Sequence, residues 1–129
     1  MIRSLYSVAI FVHNIDRAIE FYETTLGLPL RNRGSFGAEF LEGVTRIGIH
    51  PAAHDDSKSM VGRHTGLTFQ VDGLLHFCGD LHAQGVTFVA EPTEMSWGIM
   101  AMVADPDGNV MALWEPPSEG QSPANREGG

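Results

Sequence analysis

The chain repeats itself. Ser7-Val8-Ala9-Ile10-Phe11-Val12 aligns with Gly66-Leu67-Thr68-Phe69-Gln70-Val71 at an offset of about 59 residues, and Leu26-Gly27-Leu28 matches Gln84-Gly85-Val86 after one gap. An internal repeat of one supersecondary unit constrains a fold more than any single residue does. Each half reads β-α-β-β-β, so each supplies one sheet and one helix. The helix covers one sheet face, and the other face must be covered by something else. Two such sheets can close over a shared cavity, within the chain or across a dimer. The expected fold class is α+β, built from two βαβββ units.

The elements follow from local chemistry. Residues 7–12 are β-rich and read as a strand. Asn14 or Asp16 can cap a helix in which Ile15, Ile19, Tyr22 and Leu26 recur at helical spacing and share one face. Gly27 ends that helix and Pro29 follows. Strands are expected at 30–33, 38–41 and 45–50, then again at 67–71, 86–90, 99–104 and 110–114, with a second helix at 74–84 that Gly79 weakens. Asp105-Pro106-Asp107-Gly108-Asn109 reads as a hairpin turn, Pro presetting φ and Gly accepting positive φ. The organisation expected is one domain over 1–115, with unit one at about 5–50, a linker loop at 51–63, unit two at about 64–115, and a disordered tail at 116–129.

Composition removes several classes of function. Eight Lys and Arg against sixteen Asp and Glu leave a formal charge of −8, so neither nucleic acid nor an anionic membrane is expected as a partner. A cationic or neutral small molecule suits the balance better. The lone Cys78 allows no intrachain disulfide and no CxxC metal site, and reads as a small buried hydrophobe. Met1–Tyr6 lacks the pattern of a signal peptide, and no apolar run approaches the ~20 residues that span a bilayer. The expected location is the cytoplasm.

Val12-His13-Asn14-Ile15-Asp16-Arg17-Ala18-Ile19-Glu20-Phe21-Tyr22, then Leu26-Gly27-Leu28, resemble the first β-α unit of the vicinal oxygen chelate superfamily. Trp97-Gly98 and the Asp105–Asn109 turn resemble its final hairpin, and the resemblance covers about residues 5–116. That group includes glyoxalase I, extradiol dioxygenases, fosfomycin-resistance enzymes and bleomycin-resistance proteins, so the resemblance implies a fold but not one function. It implies a homodimer, because members commonly complete their cavities with both chains. It also implies that a divalent metal would be held from one position on the first and last strand of each half. Those positions here are Ser7, Gly48, Gly66 and Ala112. None is a strong ligand, so no metal and no cofactor is expected, and whether the protein is an enzyme stays open.

All four replacements are small, which leaves room for either larger neighbours or a ligand. Strand alternation then aims Ser7 and Phe11, His64, Thr68 and Gln70, Met100 and Met102, and Trp114 to the same side as those positions. Arg46 and His50 add polar points, and Trp97 either rims the pocket or anchors a turn. Aromatic planes, adaptable Met and a few hydrogen-bonding groups suit a planar, partly apolar ligand; the alternative is that the Met residues fill core. His50 and His64, with Glu39, could form a displaced metal site or an acid–base pair, or could be wet residues at strand ends. The expected function is a metal-free small-molecule binding protein of the bleomycin-resistance type, sequestering a drug or metabolite. The alternative is a glyoxalase-like lyase or dioxygenase with an atypical divalent-metal site.

Overall fold

The structure, a computed structural model, describes residues 1–118. Residues 119–129 of the expected tail lie outside the described residues. The chain runs β1 (Ser7–Val12), α1 (Ile15–Glu20) with a π-helical continuation (Phe21–Thr25), β2 (Leu30–Gly34), β3 (Gly37–Phe40) and β4 (Arg46–Pro51). A short α2 (Asp55–Lys58) follows, then β5 (His64–Gln70), α3 (Leu74–Ala83), β6 (Thr87–Met95), β7 (Gly98–Ala104) and β8 (Val110–Glu115). Two four-stranded sheets result, in the orders β1-β4-β3-β2 and β5-β8-β7-β6. The repeat is therefore structural: in each sheet the first strand runs parallel to the last, and the remaining pairs are antiparallel.

The chain divides into two compact units, one of Met1–Arg63 with Asp105–Asn109, the other of His64–Ala104 with the described residues from Val110 to Ser118. In the first, Ile10 and Val12 of β1, Ile47 and Ile49 of β4, and Ala38 and Phe40 of β3 are buried, as are Ile19, Tyr22 and Leu26 of the helix. This is the alternation expected of a sheet with one covered face. Asn14 is the cap: its Oδ1 accepts from Arg17 N at 3.1 Å. The helix tightens less than expected near its end, where Leu26 N bonds Phe21 O at 2.9 Å in an i→i+5 step. In the second unit, Leu113, Met111, Ala101 and Val103 are buried together with Leu74, Cys78 and Leu81 of α3. Burial, with a smaller effect from Glu91, pushes the Cys78 thiol up, which keeps it protonated and unreactive.

The Asp105–Asn109 turn carries more than a change of direction. Asp105 Oδ1 accepts from Asp107 N and Asn109 N, both at 2.9 Å, while its Oδ2 accepts from Tyr22 OH at 2.7 Å and Asn109 Nδ2 at 3.0 Å. Burial and the neighbouring Asp105 charge push the Tyr22 phenol far above its ordinary range, so it stays a donor. The outward backbone of β1 is satisfied by side chains: Arg63 Nη2 donates to Ala9 O at 2.7 Å and Asn109 Nδ2 to Phe11 O at 3.1 Å.

Two expectations change, and β5 departs from a regular strand. The segment 51–63, read as a loop, contains α2, because Ser57 Oγ accepts from His54 N and donates to His54 O, closing a local cap that includes Asp55 and Asp56 in its first turn. Strand β6 extends to Met95, beyond the Val86–Ala90 expected, with two irregularities in its pairing to β7, the second of which, between Ala90 and Thr93, spans Pro92. Strand β5 is also irregular: Gly66 sits at φ +78°, where an L side chain is disfavoured, and the register to β8 shifts between His64 and Thr68.

The N-terminus of α3 is capped from far away in sequence. The Glu115 carboxylate accepts from Gly73 N and Leu74 N, both at 3.0 Å. These two bonds hold its pKa below the ordinary 4.5. A lowered folded-state pKa gives stability that is present above the unfolded value and lost as pH falls through the folded one. Thermal unfolding followed from about pH 7 to about pH 3 should therefore show a weaker acid-side decline in Glu115→Gln than in the parent protein. An unchanged decline would mean that the cap contributes nothing.

Candidate functional site

Each sheet turns one face to its helix and leaves the other open. On the first sheet, cross-strand pairs bring together Ser7 with Arg46, Ala9 with Gly48 and Glu39, and Phe11 with His50. On the second, Thr68, Ala112, Met102 and Ala90 form one row and Gln70, Trp114, Met100 and Thr93 the next. His64, opposite Val110, ends this face. Thus Ser7, Phe11 and His50 share one open face, and Thr68, Gln70, Met100, Met102, Trp114 and His64 share the other. His64, Thr68 and Gln70 are exposed, and Met100, Met102 and Trp114 are half-buried.

Two anticipated polar points are engaged within the protein. The Arg46 guanidinium lies over the Tyr6 ring at 4.7 Å and bonds the Tyr6 hydroxyl, beside a hollow of about 380 Å³ that the N-terminal segment forms with residues 43–46. His64 Nδ1 accepts from Gly66 N at 3.3 Å, closing the irregular turn of β5. Trp97 is half exposed and contributes its backbone: its carbonyl accepts from Trp114 Nε1 at 2.8 Å. His50 makes the corresponding contact in the first unit, with Nδ1 2.9 Å from Phe36 O. Phe36 was not among the residues anticipated, yet the signal is in the sequence: Phe36-Gly37 and Trp97-Gly98 are the same aromatic-glycine pair in the two repeats.

The four small positions do not share one cause. A Cβ on Gly48 would lie 2.6 Å from His50 Nε2, so the His50 ring fills the space that a larger residue 48 would take. Gly66 answers a backbone requirement. Ala112 is buried between its strand neighbours, and Ser7 alone offers a hydroxyl. The vacated volume at position 48 is thus taken by a neighbour, the first of the two alternatives that the sequence leaves open. One hydroxyl is not the donor set of a divalent cation. Among the described residues, no group of three or more His, Cys, Asp or Glu side chains is placed to hold a metal ion. The residues present do not fit the metal that the fold implies. Nor does any described helix have the length and apolarity to cross a membrane.

Comparison with known proteins agrees with this architecture. The uncharacterized protein YetH of Bacillus subtilis (strain 168) is 28% identical over 122 residues, which cover 89% of this chain and 100% of YetH. TnmS3, an antibiotic binding protein from Streptomyces sp. CB03234, superposes with a TM-score of 0.68 at 26% identity, covering 90% of this chain and 98% of that one. A protein from Sphaerobacter thermophilus DSM 20745 superposes with a TM-score of 0.76 at 24% identity, over 88% of this chain and 98% of its own, and shares the fold. The family pattern matches residues 4–113, and the chain belongs to the Glyoxalase/Bleomycin resistance protein/Dioxygenase superfamily.

Proposed function

We propose that this protein binds a small molecule, a drug or metabolite, and sequesters it without a metal, in the manner of a bleomycin-resistance protein. The observation that carries the reading is the open face of the second sheet. Met100, Met102 and Trp114 present adjoining apolar and planar surface, and Thr68 and Gln70 stand in register beside them as orienting groups. Such a mixture suits a planar, partly apolar guest. The relation to an antibiotic binding protein supports it. The net charge of −8 would speed capture of a cationic guest. We also propose a homodimer and a cytoplasmic location. The exposure of His64, Thr68 and Gln70 supports a partner chain at this face.

The test is fluorescence titration with a panel of planar cationic and neutral antibiotics, beside calorimetric titration with Zn²⁺, Ni²⁺, Mn²⁺ and Fe²⁺. Trp114→Ala should weaken the best binder by at least about tenfold, the cost of roughly 1.5 kcal/mol of lost aromatic contact. Trp114→Phe should recover part of it, and His64→Ala should leave affinity unchanged. Stoichiometric metal binding, or affinity indifferent to Trp114, would overturn the reading.

A further inference from the structure

His50 and Trp114 occupy equivalent places in the two repeats, at the fifth residue of β4 and of β8. Each directs a ring nitrogen at the carbonyl of the aromatic residue before the equivalent glycine, at 2.9 Å to Phe36 O and 2.8 Å to Trp97 O. Indole nitrogen can only donate, and a carbonyl oxygen can only accept. His50 Nδ1 must therefore carry a hydrogen, as Trp114 Nε1 does. In the neutral imidazole this leaves a lone pair on Nε2.

The position of that lone pair is defined. Nε2 lies 2.6 Å from where a Cβ on Gly48 would be, above the open face of the first sheet. Gly48 is paired with Glu39, and the side chains of such pairs start about 5 Å apart. Glu39 is itself oriented by Asn32 Nδ2, which donates to its Oε1 at 3.1 Å. The Phe11 and Phe36 rings flank His50 at centroid distances of 5.9 and 6.4 Å. Among the described residues, no protein group bonds Nε2, and it is not a buried orphan. The ring nitrogen thus stands between two aromatic rings as an acceptor that no described protein donor meets, while the Glu39 carboxylate on the neighbouring strand is met by Asn32.

We propose that His50 Nε2, between the Phe11 and Phe36 rings, forms a donor-recognising subsite that selects planar ligands bearing an aryl hydroxyl or an amine N–H over ligands whose polar atoms only accept. The proposal rests on the reading of these open faces as a small-molecule site. It adds the chemistry that the ligand must present: an O–H or N–H aimed at Nε2 from a ring lying against Phe11 or Phe36.

The test uses nuclear magnetic resonance of the full chain with labelled histidine at about pH 8, where an ordinary imidazole is neutral. The His50 nitrogens should report hydrogen on Nδ1 and a lone pair on Nε2. 2-Naphthol should shift the Nε2 resonance and bind at least about tenfold more tightly than 2-methoxynaphthalene, the worth of one hydrogen bond. His50→Asn keeps a donor for Phe36 O but places no atom at Nε2, and should abolish that preference. Hydrogen on Nε2 would overturn the proposal. So would equal binding of the two naphthalenes, or a preference that survives in His50→Asn. None of these three outcomes touches the small-molecule reading, which rests on Trp114. Absence of any naphthol effect on first-unit resonances, while antibiotics still quench Trp114, would likewise remove this subsite alone. Silence of both the naphthols and the antibiotics would remove both.

Discussion

Asn109→Ala should lower the stability of the protein by about 3 kcal/mol or more, a large share of the roughly 5–15 kcal/mol that holds an ordinary domain together. Asn109 is fully buried and its side chain makes four hydrogen bonds. Its Oδ1 accepts from Gly62 N at 2.9 Å and Arg63 N at 3.3 Å, and its Nδ2 donates to Phe11 O at 3.1 Å and Asp105 Oδ2 at 3.0 Å. Truncation leaves those partners short and opens a hole among them, and each poorly compensated group costs about 1–3 kcal/mol. Asn109→Asp is the sharper companion. It keeps the acceptor, loses the donor and sets a second carboxylate against Asp105, so it should be at least as damaging. Urea unfolding midpoints of the three proteins decide the matter, and a loss below about 1 kcal/mol for Asn109→Ala would show that water replaces the amide at little cost.

Gly98→Ala and Gly37→Ala should each be far more disruptive than Gly85→Ala, although all three glycines have positive φ. The difference is space. At Gly85 nothing lies within 4 Å of a new Cβ, so only the backbone preference, about 1–2 kcal/mol, opposes the change. At Gly37 and Gly98, with φ of +120° and +126°, the Cβ would stand 1.9 Å from Ile49 O and 2.1 Å from Glu115 O. Those atoms are the backbone of the neighbouring strand, which cannot move aside as a side chain can. The strands must part, with loss of ladder bonds at about 1 kcal/mol each on top of about 1–3 kcal/mol of strain. Gly98→Ala also meets the Trp114 indole, with Nε1 2.8 Å away, so ligand binding should fall with stability. Thermal unfolding of the three variants checks the ranking. Equal midpoints would mean that the close approaches at Gly37 and Gly98 are relieved without breaking the sheets.

What could be read in advance was what depends on pattern. The repeat fixed the order β-α-β-β-β in each half, and alternation along β1, β5, β7 and β8 placed Phe11, Thr68, Gln70, Met100, Met102 and Trp114 on open faces. Those features are periodic, so they survive in one dimension. The unread features are contacts between residues far apart in the chain. Glu115 caps a helix 41 residues earlier, and Tyr22 meets Asp105 across 83 residues. The turn composition of Asp105–Asn109 announced a turn, but nothing local says that Asn109 would be buried or bond Phe11. The small residues at 48 and 66 looked alike in sequence and proved different in cause, one making room for a ring and the other for a backbone angle. Arg46 reads as a polar point in the sequence, and the Tyr6 ring that engages it lies outside every predicted element.

The side chains spent on β1 also decide how this protein can and cannot associate. A parallel edge strand offers an incoming chain alternating donors and acceptors, which is the template on which sheets of separate molecules join and grow. Here the acceptors at Ala9 and Phe11 are already taken, one by a guanidinium and one by a buried amide. A strand from another molecule would have to evict both before it could register. Extending a common sheet from β1 therefore costs both of those bonds, which disfavours self-assembly through this edge.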